Sequence, residues 1–154
     1  MKIIPIKDIR DVMITGVHVA LPNDLQGEEN HYFFWSPAAL TANFQARAIT
    51  GGILKSWKHQ PLFSQAERHR DDEMFYFLSG TALMLFVDYV NDQPDVATAQ
   101  IVRIPSGTQL IIEKGKGHYV AVAENDEPVL ALVVAPKMDA PVSSLSEPVL
   151  GKSK

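Results

Sequence analysis

Glu67-Arg68-His69-Arg70-Asp71-Asp72-Glu73-Met74-Phe75-Tyr76-Phe77-Leu78-Ser79-Gly80 is the stretch that decides how the chain folds. On an extended strand successive side chains point to opposite faces, so Glu67 and His69 share one face. Beyond the polar Arg70-Asp71-Asp72 turn, Glu73, Phe75 and Phe77 share a face, and Met74, Tyr76 and Leu78 the other. If both polar faces look into a barrel, two glutamates and a histidine converge at one mouth. Imidazole and carboxylate together suit a divalent metal such as Ni, Mn, Fe or Zn, or an acid/base pair. The bland alternative is a salt-bridged rim with Arg68 and Arg70.

Outward from Gly80 the chain is a series of short apolar runs separated by turn residues, the spacing of an all-β sandwich or barrel. Met74–Leu78, Thr81–Val90, Thr98–Ile104, Thr108–Glu113, Tyr119–Ala123 and Val129–Ala135 read as strands, rich in Val, Ile, Leu, Phe and Tyr. Between them stand Ser79-Gly80, Asn91 to Asp95, Pro105-Ser106-Gly107, Lys114 to Gly117 and Glu124 to Pro128, all with turn chemistry.

The first sixty residues give a weaker pattern, with strands expected around Val12–Ala20, His31–Trp35 and Phe44–Thr50. Pro37-Ala38-Ala39-Leu40 fits a short helical turn, and Gly51-Gly52 a bend or a close backbone approach. Tyr32, Phe33, Phe34 and Trp35 read as core or dimer-contact residues. The expected organisation is a single domain over residues 1–136, followed by a tail, 137–154, draped over it or partly mobile. No internal repeat, linker or low-complexity block interrupts it.

Composition narrows the function classes. With 154 residues, 46% of them hydrophobic and 21% charged, the chain can bury a core without disulfides or a structural metal. A formal net charge of −4 and the lack of any concentrated basic stretch argue against a nucleic-acid partner. An anionic substrate must therefore meet locally placed Arg or Lys. The absence of cysteine excludes thiolate chemistry and suits a reducing compartment. Pro5 and charges break the apolar residues at the N-terminus, and the longest apolar run, Val129 to Pro136, is far short of a membrane span. A cytoplasmic protein with no membrane partner is expected.

The opening stretch resembles the first motif of the cupin superfamily, Gly-x5-His-x-His-x3,4-Glu-x6-Gly. His69 takes the second histidine place, Glu73 the glutamate place and Gly80 the closing glycine, while Glu67 stands where the first histidine would be. The superfamily's second motif is met only by Pro105-Ser106-Gly107; Leu110 occupies its histidine position and Lys114 its asparagine. The resemblance implies a cupin-type antiparallel β-barrel, the double-stranded β-helix or jelly roll.

Within that superfamily, the region from Phe44 to Pro136 looks most like ureidoglycolate lyase, which splits ureidoglycolate into glyoxylate and urea. Glu67-Arg68-His69, Asp92-Gln93-Pro94-Asp95 and Glu113-Lys114-Gly115-Lys116-Gly117-His118 carry the likeness; Glu113 replaces that family's first histidine of the last segment, and Gly117 its tryptophan. The implied enzyme acts on a small hydroxy- or ureido-acid anion and pairs as a homodimer. Proton transfer then falls to Glu73, His69 and His118, a metal would be held by His69, Glu67 and Glu73, and Arg47, Glu67, Glu113 and Lys116 would bind substrate. Glu113 and His118 are expected to face each other across their hairpin. Arg103 and Lys114 are further candidates for the substrate carboxylate, with the Arg fork of Arg47 preferred. His18, His31 and His59 read as structural or exposed. Two alternatives stay open: a metal-dependent sugar or keto-acid isomerase using the same Glu67/His69/Glu73 set, and a non-catalytic cupin that binds a metabolite.

Overall fold

A computed structural model describes every residue except 30, 33, 37–38, 46–47, 138–140 and 154. The strands in chain order are β1 (Lys2–Asp8), β2 (Val17–Ala20), β3 (Glu28–Glu29), β4 (Phe34–Trp35), β5 (Ile49–Ser56), β6 (Leu62–Glu67) and β7 (Glu73–Ser79), followed by β8 (Ala82–Val90), β9 (Gln93–Ile104), β10 (Gln109–Ile112), β11 (Gly117–His118), β12 (Val122–Ala123), β13 (Val129–Pro136) and β14 (Val142–Lys152). Among the described residues the only helical pieces are two 3-10 turns, Ile9–Asp11 and Pro22–Asp24. None is long and apolar enough to cross a membrane.

Two large sheets, with a separate two-stranded pair β3-β4, make up the strands of the described residues. One has the order β2-β10-β7-β13-β5; the other runs β11-β6-β14-β1-β9-β8-β12, and β11 also pairs with β8, which closes six of its strands into a barrel. The all-β barrel expected from the sequence is present, with one correction to its antiparallel character: β1 runs parallel to both β14 and β9.

β8 shows how the sequence specifies this packing. From Ala82 to Val87 every residue is buried, so both of its faces are covered. Met84 and Phe86 point one way, into a cluster with Phe75, Phe77, Val102, Ile104, Leu110 and Ala131 between the two sheets. Leu83, Leu85 and Val87 point the other way, into a cluster with Ile6, Phe63, Ile101 and Val149 inside the curled sheet. The two-residue period of the strand splits one apolar run between two cores.

Several sequence expectations shift. Residues 142–152 are not a draped tail: they form β14, which lies between β6 and β1. The N-terminal residues supply β1, a strand that alternating exposed and half-buried positions hide from a hydrophobicity reading. Among the described residues of Phe44–Thr50 only Ile49 and Thr50 are strand, and Gly51-Gly52 lie in mid-strand without a bend. Of Val12–Ala20 only Val17–Ala20 is strand, and among the described residues of His31–Trp35 only Phe34–Trp35. Pro37, Ala38 and Phe33 lie outside the described residues. Tyr32 is 90% exposed and so is no core residue.

Gly80, the closing glycine of the motif, has a backbone reason. Its φ is +71°, and a Cβ there would lie 2.6 Å from the Pro128 carbonyl oxygen. Gly80→Ala is expected to combine left-handed strain with a backbone clash and to destabilise the fold by at least about 1–3 kcal/mol. Urea denaturation measures this, and an unchanged midpoint would contradict it.

Candidate metal centre

β6 ends at Glu67 and β7 begins at Glu73, and the five-residue turn joining them links the two sheets. The turn is pinned from inside by two buried carboxylates. Asp72 accepts the backbone N–H of Asn43 through Oδ2 (2.8 Å) and that of Lys114 through Oδ1 (3.1 Å). Asp71 accepts the N–H of Gln45 at 2.9 Å. The carbonyl of His69 in turn accepts the N–H of Gly115 at 2.8 Å, which ties the first motif to the hairpin that leads into β11. Buried backbone donors need such partners, so Asp71 and Asp72 fix where His69 stands.

His118 arrives from β11, directly opposite Glu67 on β6 and Phe86 on β8, so it shares their face. It is 1% exposed. Its Nε2 donates to Glu73 Oε2 at 2.9 Å and lies 3.8 Å from Glu67 Oε1. The His69 and His118 rings are 5.1 Å apart, and Phe75 closes the apolar side of the site against His118. Glu67, His69 and His118 each present a ligand atom within 4.8 Å of the others. Glu73 stands beside this trio, its Oε2 3.4 Å from His69 Nε2.

The charges are strongly coupled. Burial pushes the Glu73 carboxyl up, but the hydrogen bond from His118 and the charge of His118 and His69 outweigh it and hold the group down at about 2. For His69, burial works against the proton, and the neighbouring Glu73 and Glu67 overcome it and raise its pKa. Glu73 is thus anionic at neutral pH.

The donor set fits a divalent cation. His69 is nine-tenths buried, and neither ring nitrogen has a hydrogen-bond partner, its 3.4 Å approach to Glu73 lacking the geometry of one. An unsatisfied buried polar group costs about 1–3 kcal/mol, which a bound cation would remove. Two imidazoles and a carboxylate suit Mn, Fe, Ni or Zn. The proton on His118 Nε2 must leave before that nitrogen can act as a ligand, so cation binding releases a proton.

The pocket in front of the cluster holds about 360 Å³ and is lined by Thr50, Gly52, Glu67, His69, Glu73 and Lys137, among others. It is of small-ligand size. Parity along the first motif thus placed Glu67, His69 and Glu73 in one cavity, as expected. The metal-competent trio differs from the expected one, since His118 enters it and Glu73 stands alongside.

Other expected site residues lie elsewhere. Glu113 does not meet His118; its Oε1 takes a hydrogen bond from His18 Nε2 at 2.6 Å, because Glu113 follows β10, whose partner β2 carries His18. Lys116 is buried and donates from Nζ to Asp88 Oδ1 at 2.5 Å, so its charge is spent on β8. Arg103 is paired with Glu124. Arg47 falls outside the described residues. Leu110, at the second motif's histidine position, is fully buried in the core, and the histidine comes instead from β11. Lys137, at the exposed rim just past β13, is the cation that sequence reading missed. Nothing local marks it, because only the course of β13 brings it there.

No family model matches the chain, and no curated protein matches it. Among solved structures it is similar to Bacillus subtilis oxalate decarboxylase: a single-site variant aligns over 64% of this chain and 24% of that one, with 19% identity and a TM-score of 0.46. The same enzyme, in a structure concerned with its Mn(II) centres, aligns over the same shares with 20% identity and a TM-score of 0.44. The chain therefore spans about a quarter of that enzyme's length. What the strands define is a class: an all-β protein in which six strands close into a mixed barrel. Its Glu67, His69 and His118 form a group able to hold a divalent metal.

Proposed function

We propose that the chain is a metal-dependent lyase of the ureidoglycolate lyase type, cleaving a C–N bond in a small hydroxy- or ureido-acid. The observation that carries this reading is the convergence of Glu67, His69 and Glu73 on a pocket of small-ligand size, with the buried His118 bonded to Glu73. Glu67, His69 and His118 would hold the ion. When bound, it supplies Lewis-acid polarisation of the substrate hydroxyl and of the carbonyl that forms from it.

The proton work falls to Glu73. It stands next to the trio and is ionised, so it can accept the substrate's hydroxyl proton. As the C–O bond becomes a carbonyl the C–N bond breaks, and Glu73 returns the same proton to the departing urea nitrogen. The products, glyoxylate and urea, balance the substrate with no added water. Its low pKa is caused by His118 and His69. Lys137 at the rim is placed to meet the substrate carboxylate. Pairing of two copies and a cytoplasmic site of action belong to the same proposal.

The test is direct. Protein stripped with chelator and reloaded separately with Mn(II), Ni(II) and Zn(II) is assayed for urea and glyoxylate from ureidoglycolate. Equal amounts of both products, dependent on the ion, are expected. Metal-loaded protein that releases no urea would overturn the lyase assignment while leaving the metal centre in place.

A further inference from the structure

β5 carries two adjacent glycines that its backbone does not require. Gly51 and Gly52 pair in register with Val134 and Val133, neither has a positive φ, and a Cβ on either would meet no atom within 4 Å. Glycine inside a strand sacrifices packing and chain entropy, so two in succession at positions open to any residue weaken this strand. Both glycines line the pocket, but only the Cβ direction at Gly52 is toward the face that carries Leu54. Thr50, Gly52, Leu54 and Ser56 stand opposite Ala135, Val133, Ala131 and Val129, and on this face Leu54 and Val133 pack against the core between the sheets. Gly52 thus faces the interior and is nevertheless exposed. The space its side chain would fill belongs to the pocket that ends on Glu67, His69 and Glu73. At the floor of that pocket His69 is nine-tenths buried, with both ring nitrogens unpartnered.

We propose that Gly52 is the specificity-determining position of this pocket: its bare backbone keeps open the slot through which a small carboxylic acid reaches the cluster, with the acid's charge toward Lys137. The proposal rests on the metal-centre reading only for what the acid does on arrival. Access through the slot is a property of the barrel alone. A side chain at 52 would point into the slot and narrow it without disturbing the strand, since β5 accepts any residue there.

The experiment uses Gly52→Ala, Gly52→Val and Gly52→Leu with two readouts. In metal-free protein, diethyl pyrocarbonate modification of His69 is followed by peptide mass mapping, with the exposed His59 as internal control. Modification of His69 is expected to be slower than that of His59 in the wild type, because its ring nitrogens are buried, and should slow further stepwise through the series, by about tenfold or more in Gly52→Leu, as methylenes occupy the slot, while His59 reacts unchanged. In Mn(II)-loaded protein, glycolate binding followed by water-proton relaxation should weaken in the same order. Gly52→Val, whose side chain favours strands, carries both readouts should Gly52→Leu fail to fold. Unchanged His69 reactivity across the series, a wild type in which His69 does not react, or glycolate affinity equal in all variants would each overturn the proposal. Slowed His69 labelling in a protein that binds no Mn(II) upholds the slot and refutes the metal centre instead.

Discussion

His69→Ala is expected to lower divalent-cation affinity by more than about 100-fold, because loss of a mere supporting group around a metal already costs some 10–100-fold and His69 is assigned as a ligand. The effect on the metal-free fold runs the other way in kind. Neither ring nitrogen of His69 has a hydrogen-bond partner, so removing the ring relieves a desolvation cost, while it opens a small void and takes one cationic neighbour from Glu73. Those terms oppose one another, and the metal-free melting temperature should move little. Wild-type protein at a cation concentration 100 times its Kd gains about 2.7 kcal/mol of stability by linkage, and the variant should show none of that gain at the same concentration. Calorimetric titration and thermal melts with and without chelator measure both. A His69→Ala protein that binds the ion as the wild type does would remove His69 from the site.

Glu73→Gln is expected to reduce turnover on ureidoglycolate by about 10²–10⁴-fold, the usual contribution of a positioned acid or base. The swap is nearly isosteric, and the amide oxygen can still accept the His118 Nε2 hydrogen bond. What it removes is charge. Folding depresses the Glu73 pKa from 4.5 to about 2. The ionised form therefore stabilises the metal-free fold by roughly 3 kcal/mol relative to a neutral group there, an upper bound for the variant's loss at neutral pH. The sign follows from the direction of the shift: this stability is present above about 4.5 and fades as the pH falls toward 2, so wild type and variant should converge in acid. Activity loss thus exceeds any stability loss, and the variant should remain folded. Full lyase activity in a folded Glu73→Gln protein would end the role given to this carboxylate.

The first motif was legible because its information is local. Two-residue alternation places Glu67 and His69 on one face, and Glu73 with Phe75 and Phe77 on another, before any long-range contact is known. The closing Gly80 is equally local in cause, a left-handed residue whose missing Cβ makes room for a carbonyl. The strands from β7 to β13 mostly announced themselves through apolar runs and turn residues, but the run read as Tyr119–Ala123 is strand only at Val122–Ala123, β11 precedes it at Gly117–His118, and Gln93–Asp95, read as turn, opens β9. β1 and β14 did not announce themselves. Their exposed positions alternate irregularly with buried ones, and β14 carries Pro148 and several serines, so nothing short of the pairing of β14 with β6 and β1 marks residues 142–152 as sheet.

The sequence by itself determined the all-β class, the strand faces and the cavity shared by Glu67, His69 and Glu73. Tertiary structure alone decided which residues from distant strands complete that cavity. Glu113 and His118 are five residues apart, and the hairpin reading joined them. In the fold β10 pairs with β2 and hands Glu113 to His18, while β11 pairs with β6 and β8 and delivers His118 to Glu67 and Glu73. Lys116, two residues before His118, is taken by Asp88. Lys137 and Gly52 reach the pocket mouth only because β13 and β5 run side by side. The physical reason is the same in each case. Alternation along one strand is fixed by covalent geometry, whereas the neighbour across a sheet is chosen by register, and register is set by how the two cores pack.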